Sequence, residues 1–322
     1  MENILTIDSK YINENTVYLE LISKIKQDFK MNKTLVPLRH HHDFPNPAVN
    51  ANTTLLLMPA WNPGKEAGVK IITVNPKNER FDLPSVQGVY IYMDALTGTL
   101  KAILEAKSLT VKRTAATSAL ASSFLSKKDA STLLMIGTGA LSTNLIKAHA
   151  GVRPIKEVFV WGRNFDKAQL ICEKLKNEAF TIKAIKTIEE KISDVDIVSC
   201  ATLSKTPLVH GENIKPGQHI DLVGAYKDDM READDALIQK SFIYIDSYEG
   251  GLRESGDIAI PLAKGLINKN DIKADLFELC QLKKNGRKND REITVFKSVG
   301  HALEDLAAAT YFYTKYHTSI NQ

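Results

Sequence analysis

Cysteine is scarce in this chain of 322 residues: Cys172, Cys200 and Cys280 stand far apart, with no CxxC pair. A disulfide framework is not expected, and a reducing compartment suits such thiols. Long apolar runs are also missing. No stretch approaches the roughly 20 residues needed to span a bilayer, and the opening MENILTIDSKYINENTV is polar, with no apolar signal core. The expectation is a cytoplasmic protein without a membrane partner. Charge of one sign is lacking too. The net charge is +4, and the lysines are scattered rather than blocked, so no nucleic-acid partner is expected. Internal repeats and low-complexity tracts are absent. What remains is an ordinary globular composition, 43% hydrophobic and 25% charged. The length is enough for two domains at roughly 100–200 residues each.

The pattern changes along the chain. Early on, NTVYLELISKIKQDFKM places apolar residues at helical spacing. TLLLMPAW, GVKIITVNP and VQGVYIYMDALTGTLKAIL follow as short β-rich runs punctuated by Pro, Gly and Asn, with TGT as a hairpin turn. This predicts an antiparallel sheet with a flanking helix. From about residue 126, apolar strands (STLLMIG, EVFVWGRN, FTIKAI, DIVSCAT, HIDLVGA, FIYIDSY) alternate with helical or turn segments. That alternation predicts a parallel sheet covered on both faces. The final HALEDLAAATYFYTKYH reads as a helix returning to the first domain. The expected division is 1–125 with 297–322, and 126–296.

Gly137-Thr138-Gly139-Ala140-Leu141-Ser142 is a G-x-G-x-x-G pattern with Ser at its third position, set between a strand and a helix. The first glycine permits the tight turn, the second lets a pyrophosphate approach the backbone, and a small third residue allows close helix packing. The helix N-terminus offers free N–H groups and a positive dipole to phosphate. A Rossmann dinucleotide site is expected. The next strand ends Trp161-Gly162-Arg163-Asn164 without the acid that commonly holds the ribose of NAD. Arg163 is suited to a 2′-phosphate, with Asn164 adding a hydrogen bond. NADPH is the expected cofactor, with NADH as the alternative.

Upstream, VKRTAATSALASSFL reads as a small-residue helix opening at Lys112-Arg113-Thr114, where a cation at the start would meet an anion favoured by the helix dipole. RHHHDFPNP holds His40, His41 and His42 in a row, but adjacent residues do not readily converge on one ion, and no metal site is expected. The segment is read as a loop after Arg39 that shapes the mouth of a site. Trp61 reads equally as pocket lining or core, and ERFDLPS as a solvated turn.

Taken together, VPLRH, LLMPAW, GVKIITVNP, KRTAATSALAS, IGTGALS, GAYKDDMREAD, ESGDI and FKSVGHALEDLAAA resemble the ornithine cyclodeaminase/μ-crystallin family over nearly the whole chain. RPIKEVFVWGRN, DIVSCATLS and DLVGAYKDDMREADD look most like its Δ1-pyrroline-2-carboxylate reductase branch. The resemblance implies an α/β protein: a Rossmann domain plus a discontinuous α+β domain for substrate binding and dimerisation, and hence a homodimer. It implies NAD(P)H-dependent reduction of cyclic imino acids, Δ1-pyrroline-2-carboxylate to L-proline and also the six-membered Δ1-piperideine-2-carboxylate to L-pipecolate. Hydroxyproline degradation is a matching metabolic setting.

Carried over by position, the resemblance makes Arg39 a carboxylate ligand and Lys70 a second substrate contact. It sets Arg113 between substrate and cofactor, with Thr114 beside it. Gln87 falls near the nicotinamide. Thr202, Val223 and Gly224 touch the cofactor, and Ser298, Val299 and Gly300 close the site. Lys70 and Arg113 are the catalytic candidates. Cyclodeaminases carry a catalytic Asp after the pair matching Gly224-Ala225, whereas Tyr226 stands here. That favours simple imine reduction. A cyclodeaminase or amino-acid dehydrogenase on the same fold, and an NADPH-retaining binding protein without catalysis, stay as alternatives.

Overall fold

A computed structural model of the chain describes residues 4–320. In order along the chain, these form β1 (Leu5–Ile7), α1 (Ser9–Glu14), α2 (Tyr18–Met31), β2 (His40–Asn46), β3 (Ala51–Trp61), β4 (Glu66–Val74), β5 (Val86–Asp94), β6 (Leu100–Glu105) and α3 (Ala106–Leu125). Then come β7 (Thr132–Ile136), α4 (Ser142–Val152), β8 (Glu157–Trp161), α5 (Phe165–Leu175), β9 (Thr181–Ala184), β10 (Ile197–Cys200), β11 (His219–Leu222) and α6 (Asp235–Lys240). The chain continues through β12 (Phe242–Ile245), α7 (Tyr248–Gly251), α8 (Gly256–Ala263), β13 (Ile272–Asp275), α9 (Leu276–Cys280), β14 (Thr294–Lys297) and α10 (Ala302–Ile320). None of these helices is long and apolar enough to cross a membrane.

Two compact units result. One contains the residues up to Arg113 together with those from Ala302 onward; the other is Thr114–His301. In the first, six strands lie in the order β1-β6-β5-β4-β3-β2, antiparallel except that β1 runs parallel to β6. Strand alternation divides the sheet. Met58 and Ala60 of β3, Lys70 and Ile72 of β4, Tyr90 and Tyr92 of β5, and Ala102 and Leu104 of β6 are buried on one face. α10 packs against β3, β4, β5 and α2. Its first two turns, ALEDLAAA, are buried all round. A helix that is hydrophobic on every side belongs inside, and that makes its two acids conspicuous.

The second unit is an eight-stranded parallel sheet in the order β13-β12-β14-β11-β10-β7-β8-β9. Its strands are almost fully buried: Leu133–Ile136, Ile197–Cys200 and His219–Leu222 show no exposed residue, as a sheet covered on both faces requires. Chain order reverses between β7 and β10, the switch point of a doubly wound fold, where ligands collect beyond the carboxyl ends of the strands.

Several local readings change. α3 starts at Ala106, not at Lys112, so Arg113 lies in the interior of a 20-residue helix and the helix-start dipole argument does not apply to it. Lys112 and Arg113 are buried, at 8% and 6% exposure. His40–Asn46 is no loop. It pairs in register with Ala51–Leu57 as the edge strand β2. The division between units falls at 113/114 and 301/302, whereas the sequence suggested 125/126 and 296/297. The later half of α3 goes with the parallel sheet because Arg153 and Arg287 donate hydrogen bonds to its last carbonyls, those of Ser122, Ser123 and Leu125. β13 and β14, four residues each, were not named from the sequence.

Candidate active site

The first unit gathers cations around two buried acids. Lys70 lies at the centre of β4, opposite Met58 and Tyr90 in register. Its Nζ is 2.9 Å from Oδ1 and 2.8 Å from Oδ2 of Asp305, in the first turn of α10. Arg113 donates from Nε to Oδ1 of Asp305 at 2.9 Å, and from Nη1 to Oε2 of Glu304 at 2.6 Å. One carboxylate therefore joins a sheet cation to a helix cation. Arg39, half-buried just before β2, lies close enough to depress both the Lys70 and the Asp305 pKa.

Burial dictates the electrostatics. Desolvation pushes the Lys70 ammonium down to about 8; Asp305 opposes the shift, while Arg113 and Arg39 reinforce it. For Arg113, burial also acts against the charge, but Asp305 and Glu304 outweigh it and hold the guanidinium more firmly cationic than usual. Asp305 stays below the ordinary carboxylate range despite its burial, because Arg113 and Lys70 favour the anion. Beside them, the Tyr90 phenol is raised well above its usual range by burial and by Asp305. Its ring lies over Gly68, where an added Cβ would come within 2.3 Å of the Tyr90 hydroxyl. The glycine two residues before Lys70 thus makes room for that tyrosine. Glu304 and Asp305 were not picked out from sequence. Their signal was an acidic pair inside an Ala/Leu-rich helix.

In the second unit, the glycine pattern forms the turn from β7 into α4. Gly137 adopts φ 119°, and a Cβ there would come within 2.5 Å of the Ala201 carbonyl oxygen. The space beside Gly139 is open, with nothing within 4 Å of an added Cβ, and Gly139 and Ala140 are exposed while Thr138 and Leu141 are half-buried. Ser142, in the third-glycine position, is fully buried and donates its hydroxyl to the Gly137 carbonyl at 2.8 Å. It fits because its one polar group is satisfied. A glycine turn of this form at a helix N-terminus is suited to a pyrophosphate.

Around this turn, Gly162 packs against Thr138, whose Cγ2 lies 2.4 Å from a would-be Cβ. Arg163 is exposed. Asn164 is the N-cap of α5 and accepts from the Lys167 N–H, so its oxygen is already engaged. Thr202 follows β10, and Val223 and Gly224 follow β11. Ser298, Val299 and Gly300 follow β14, where Asp246 accepts both the Val299 and Gly300 N–H groups at 2.7 Å and the Ser298 hydroxyl at 3.2 Å. Thr114 is buried. Tyr226 is 37% exposed. In the first unit, Gln87 is exposed on β5, and Trp61 is exposed at the end of β3.

The sequence model of the Ornithine cyclodeaminase/mu-crystallin family matches residues 2–319. An uncharacterised protein of Schizosaccharomyces pombe is 44% identical over 94% of each chain. The Δ1-pyrroline-2-carboxylate reductase of Colwellia psychrerythraea is 36% identical over 94% of this chain and 96% of its own. Among solved structures, the Thermococcus litoralis Δ1-pyrroline-2-carboxylate reductase in complex with NADH and L-proline superimposes with a TM-score of 0.91, at 33% identity and 98% coverage of both chains. The doubly wound sheet with its glycine turn, the discontinuous unit closed by the C-terminal helix, and these full-length likenesses agree: the chain belongs to the ornithine cyclodeaminase/mu-crystallin family.

Proposed function

We propose that this protein is an NAD(P)H-dependent reductase of cyclic imino acids, converting Δ1-pyrroline-2-carboxylate to L-proline and accepting Δ1-piperideine-2-carboxylate as well. The observation that carries the reading is the buried Lys70–Asp305–Arg113 cluster with the half-buried Arg39 beside it. The planar fork of Arg39 suits a small carboxylate as a bidentate ligand. Likeness to reductases of this activity supports the same substrate class.

The reaction adds a hydride to the imine carbon as the C=N π pair moves to nitrogen, which ends with one added proton. The dinucleotide supplies the hydride. Arg39 orients the carboxylate and therefore the adjacent C=N carbon. Lys70, with its pKa near 8, holds a proton at neutral pH and releases it readily, the property wanted in a general acid. Arg113 and Asp305 fix its place. In the second unit, Gly137 to Leu141 would hold the pyrophosphate, Arg163 the 2′-phosphate of NADPH, and Thr202, Val223 and Gly224 the nicotinamide portion.

We further propose a homodimer. Leu55, Leu57, Val69, Ile71, Val89 and Ile91 form the sheet face opposite α10 and stay only partly buried, an apolar area that suits a second copy. The cytoplasm is the proposed location, in keeping with three cysteines that carry no disulfide. The test is product analysis after incubation with NADPH and the five-membered imine. L-proline is expected. Formation of proline and ammonia from L-ornithine, with no reaction of the imine, would move the assignment to cyclodeamination.

A further inference from the structure

Three fully buried charged residues, Glu232, Asp257 and Lys297, meet in the doubly wound unit. Lys297, the last residue of β14, donates to Asp257 Oδ2 at 3.0 Å and stands 3.8 Å from Glu232 Oε2. Asp257 Oδ1 accepts the backbone N–H groups of Glu232 and Ala233, at 2.7 and 2.9 Å. The Glu232 carboxylate, held by these neighbours, reaches two loops. Oε1 accepts the N–H and the hydroxyl of Thr202, at 2.7 and 2.9 Å. Oε2 accepts the N–H groups of Gly224 and Ala225, at 2.7 and 3.2 Å.

Those loops follow β10 and β11, at the carboxyl ends of the two strands just past the switch point. They also touch each other closely: a Cβ on Gly224 would lie 1.9 Å from the Thr202 carbonyl oxygen. In a doubly wound sheet the glycine turn and the next strand take the adenylyl half of a dinucleotide, and the strands across the switch point take the other half. A buried carboxylate with four donors is worth placing only if its charge is compensated and its geometry fixed. Lys297 supplies the compensating charge, and Asp257 fixes the geometry through the Glu232 and Ala233 N–H groups.

We propose that Glu232 is a positioning residue for the nicotinamide half of the cofactor, acting through Thr202 and Gly224. This rests on the dinucleotide reading of the site. A purely structural role would affect stability, and any loosening would reach both halves of the cofactor alike. The positioning role separates the halves. In Glu232→Gln the amide turns N–H groups toward backbone donors, and the two loops lose their common anchor.

The experiment is calorimetric titration of wild type and Glu232→Gln with NADPH and with 2′-phospho-ADP-ribose, which lacks the nicotinamide. The Kd for NADPH should rise roughly 10- to 100-fold and that for the fragment less than about threefold. Thr202→Val, which removes one hydroxyl that donates to Glu232 and accepts from the Ser204 N–H, should act in the same sense by roughly 3- to 10-fold and covers the case of a misfolded Glu232→Gln. Equal effects on the two ligands, or none on either, overturn the proposal while leaving the functional reading intact. A wild type that binds neither ligand overturns the functional reading and this proposal with it.

Discussion

Asp305 grips Lys70 with both carboxylate oxygens, at 2.8 and 2.9 Å, while the same Oδ1 accepts from Arg113. A single acid on the C-terminal helix thus ties together a strand near the middle of the first unit's sheet and the helix that leaves it. Removing its charge leaves two buried cations facing each other. Asp305→Asn should destabilise the protein by roughly 3–5 kcal/mol, the usual cost of breaking a buried pair. Urea unfolding measures it, and a loss below about 1 kcal/mol would show that the tie contributes little.

With Lys70 as the proposed general acid, turnover has an alkaline limit. The Lys70 pKa is pushed down to about 8 by burial, so the protonated acid is lost as pH rises through that value. The rate at saturating imine should fall above pH of about 8 and stay flat below it, down to neutrality. Lys70→Gln should lower kcat by roughly 10²- to 10⁴-fold. An alkaline limb that persists unchanged in Lys70→Gln assigns the proton to another group.

The proposed preference for NADPH rests on Arg163. Its exposed guanidinium follows β8 with no acid nearby at Trp161 or Gly162. Arg163→Asp should weaken NADPH by roughly 10- to 100-fold and NADH far less, because the new carboxylate repels the 2′-phosphate. Titration of both cofactors decides; parallel losses would mean that Arg163 does not read the phosphate.

Acid should unfold the protein partly through His219. The imidazole is fully buried between β11 and its neighbours, with Nδ1 3.0 Å from the Thr294 hydroxyl. Burial lowers its pKa from 6.5 to about 3; Asp221 resists, and His149, Arg287 and Arg153 add to the fall. The unfolded chain therefore binds a proton that the folded chain refuses. Stability from this group is complete above pH 6.5 and declines as pH falls from there toward 3, by up to about 1.4 kcal/mol per pH unit. Urea midpoints between pH 7 and 5 should show the decline in wild type and a shallower one in His219→Asn. Identical slopes would place the acid sensitivity elsewhere.

Much of this was legible from the residues, and the exceptions have causes. Short β-rich runs such as TLLLMPAW and GVKIITV, punctuated by Pro, Gly and Asn, marked strands, and GTGALS between an apolar strand and a helix marked the nucleotide turn. Arg113 misled because Lys-Arg-Thr resembles a helix opening; the residues before it, AKSLTV, carry no cap or breaker to show where α3 begins. His40–Asn46, polar and proline-containing, has no strand pattern, since an edge strand needs no buried face. Glu304, Asp305 and Glu232 were passed over because their roles depend on partners 191, 235 and 30 residues away, and no local pattern records such pairings.

The central claim meets its most direct test in one assay: NADPH consumption on addition of Δ1-pyrroline-2-carboxylate, for wild type and Arg39→Ala together. Wild type should turn over the imine to L-proline, and Arg39→Ala should lose roughly 100-fold in kcat/KM for want of its carboxylate ligand. No turnover by wild type with either the five- or the six-membered imine, or an unchanged kcat/KM in Arg39→Ala, would contradict the account.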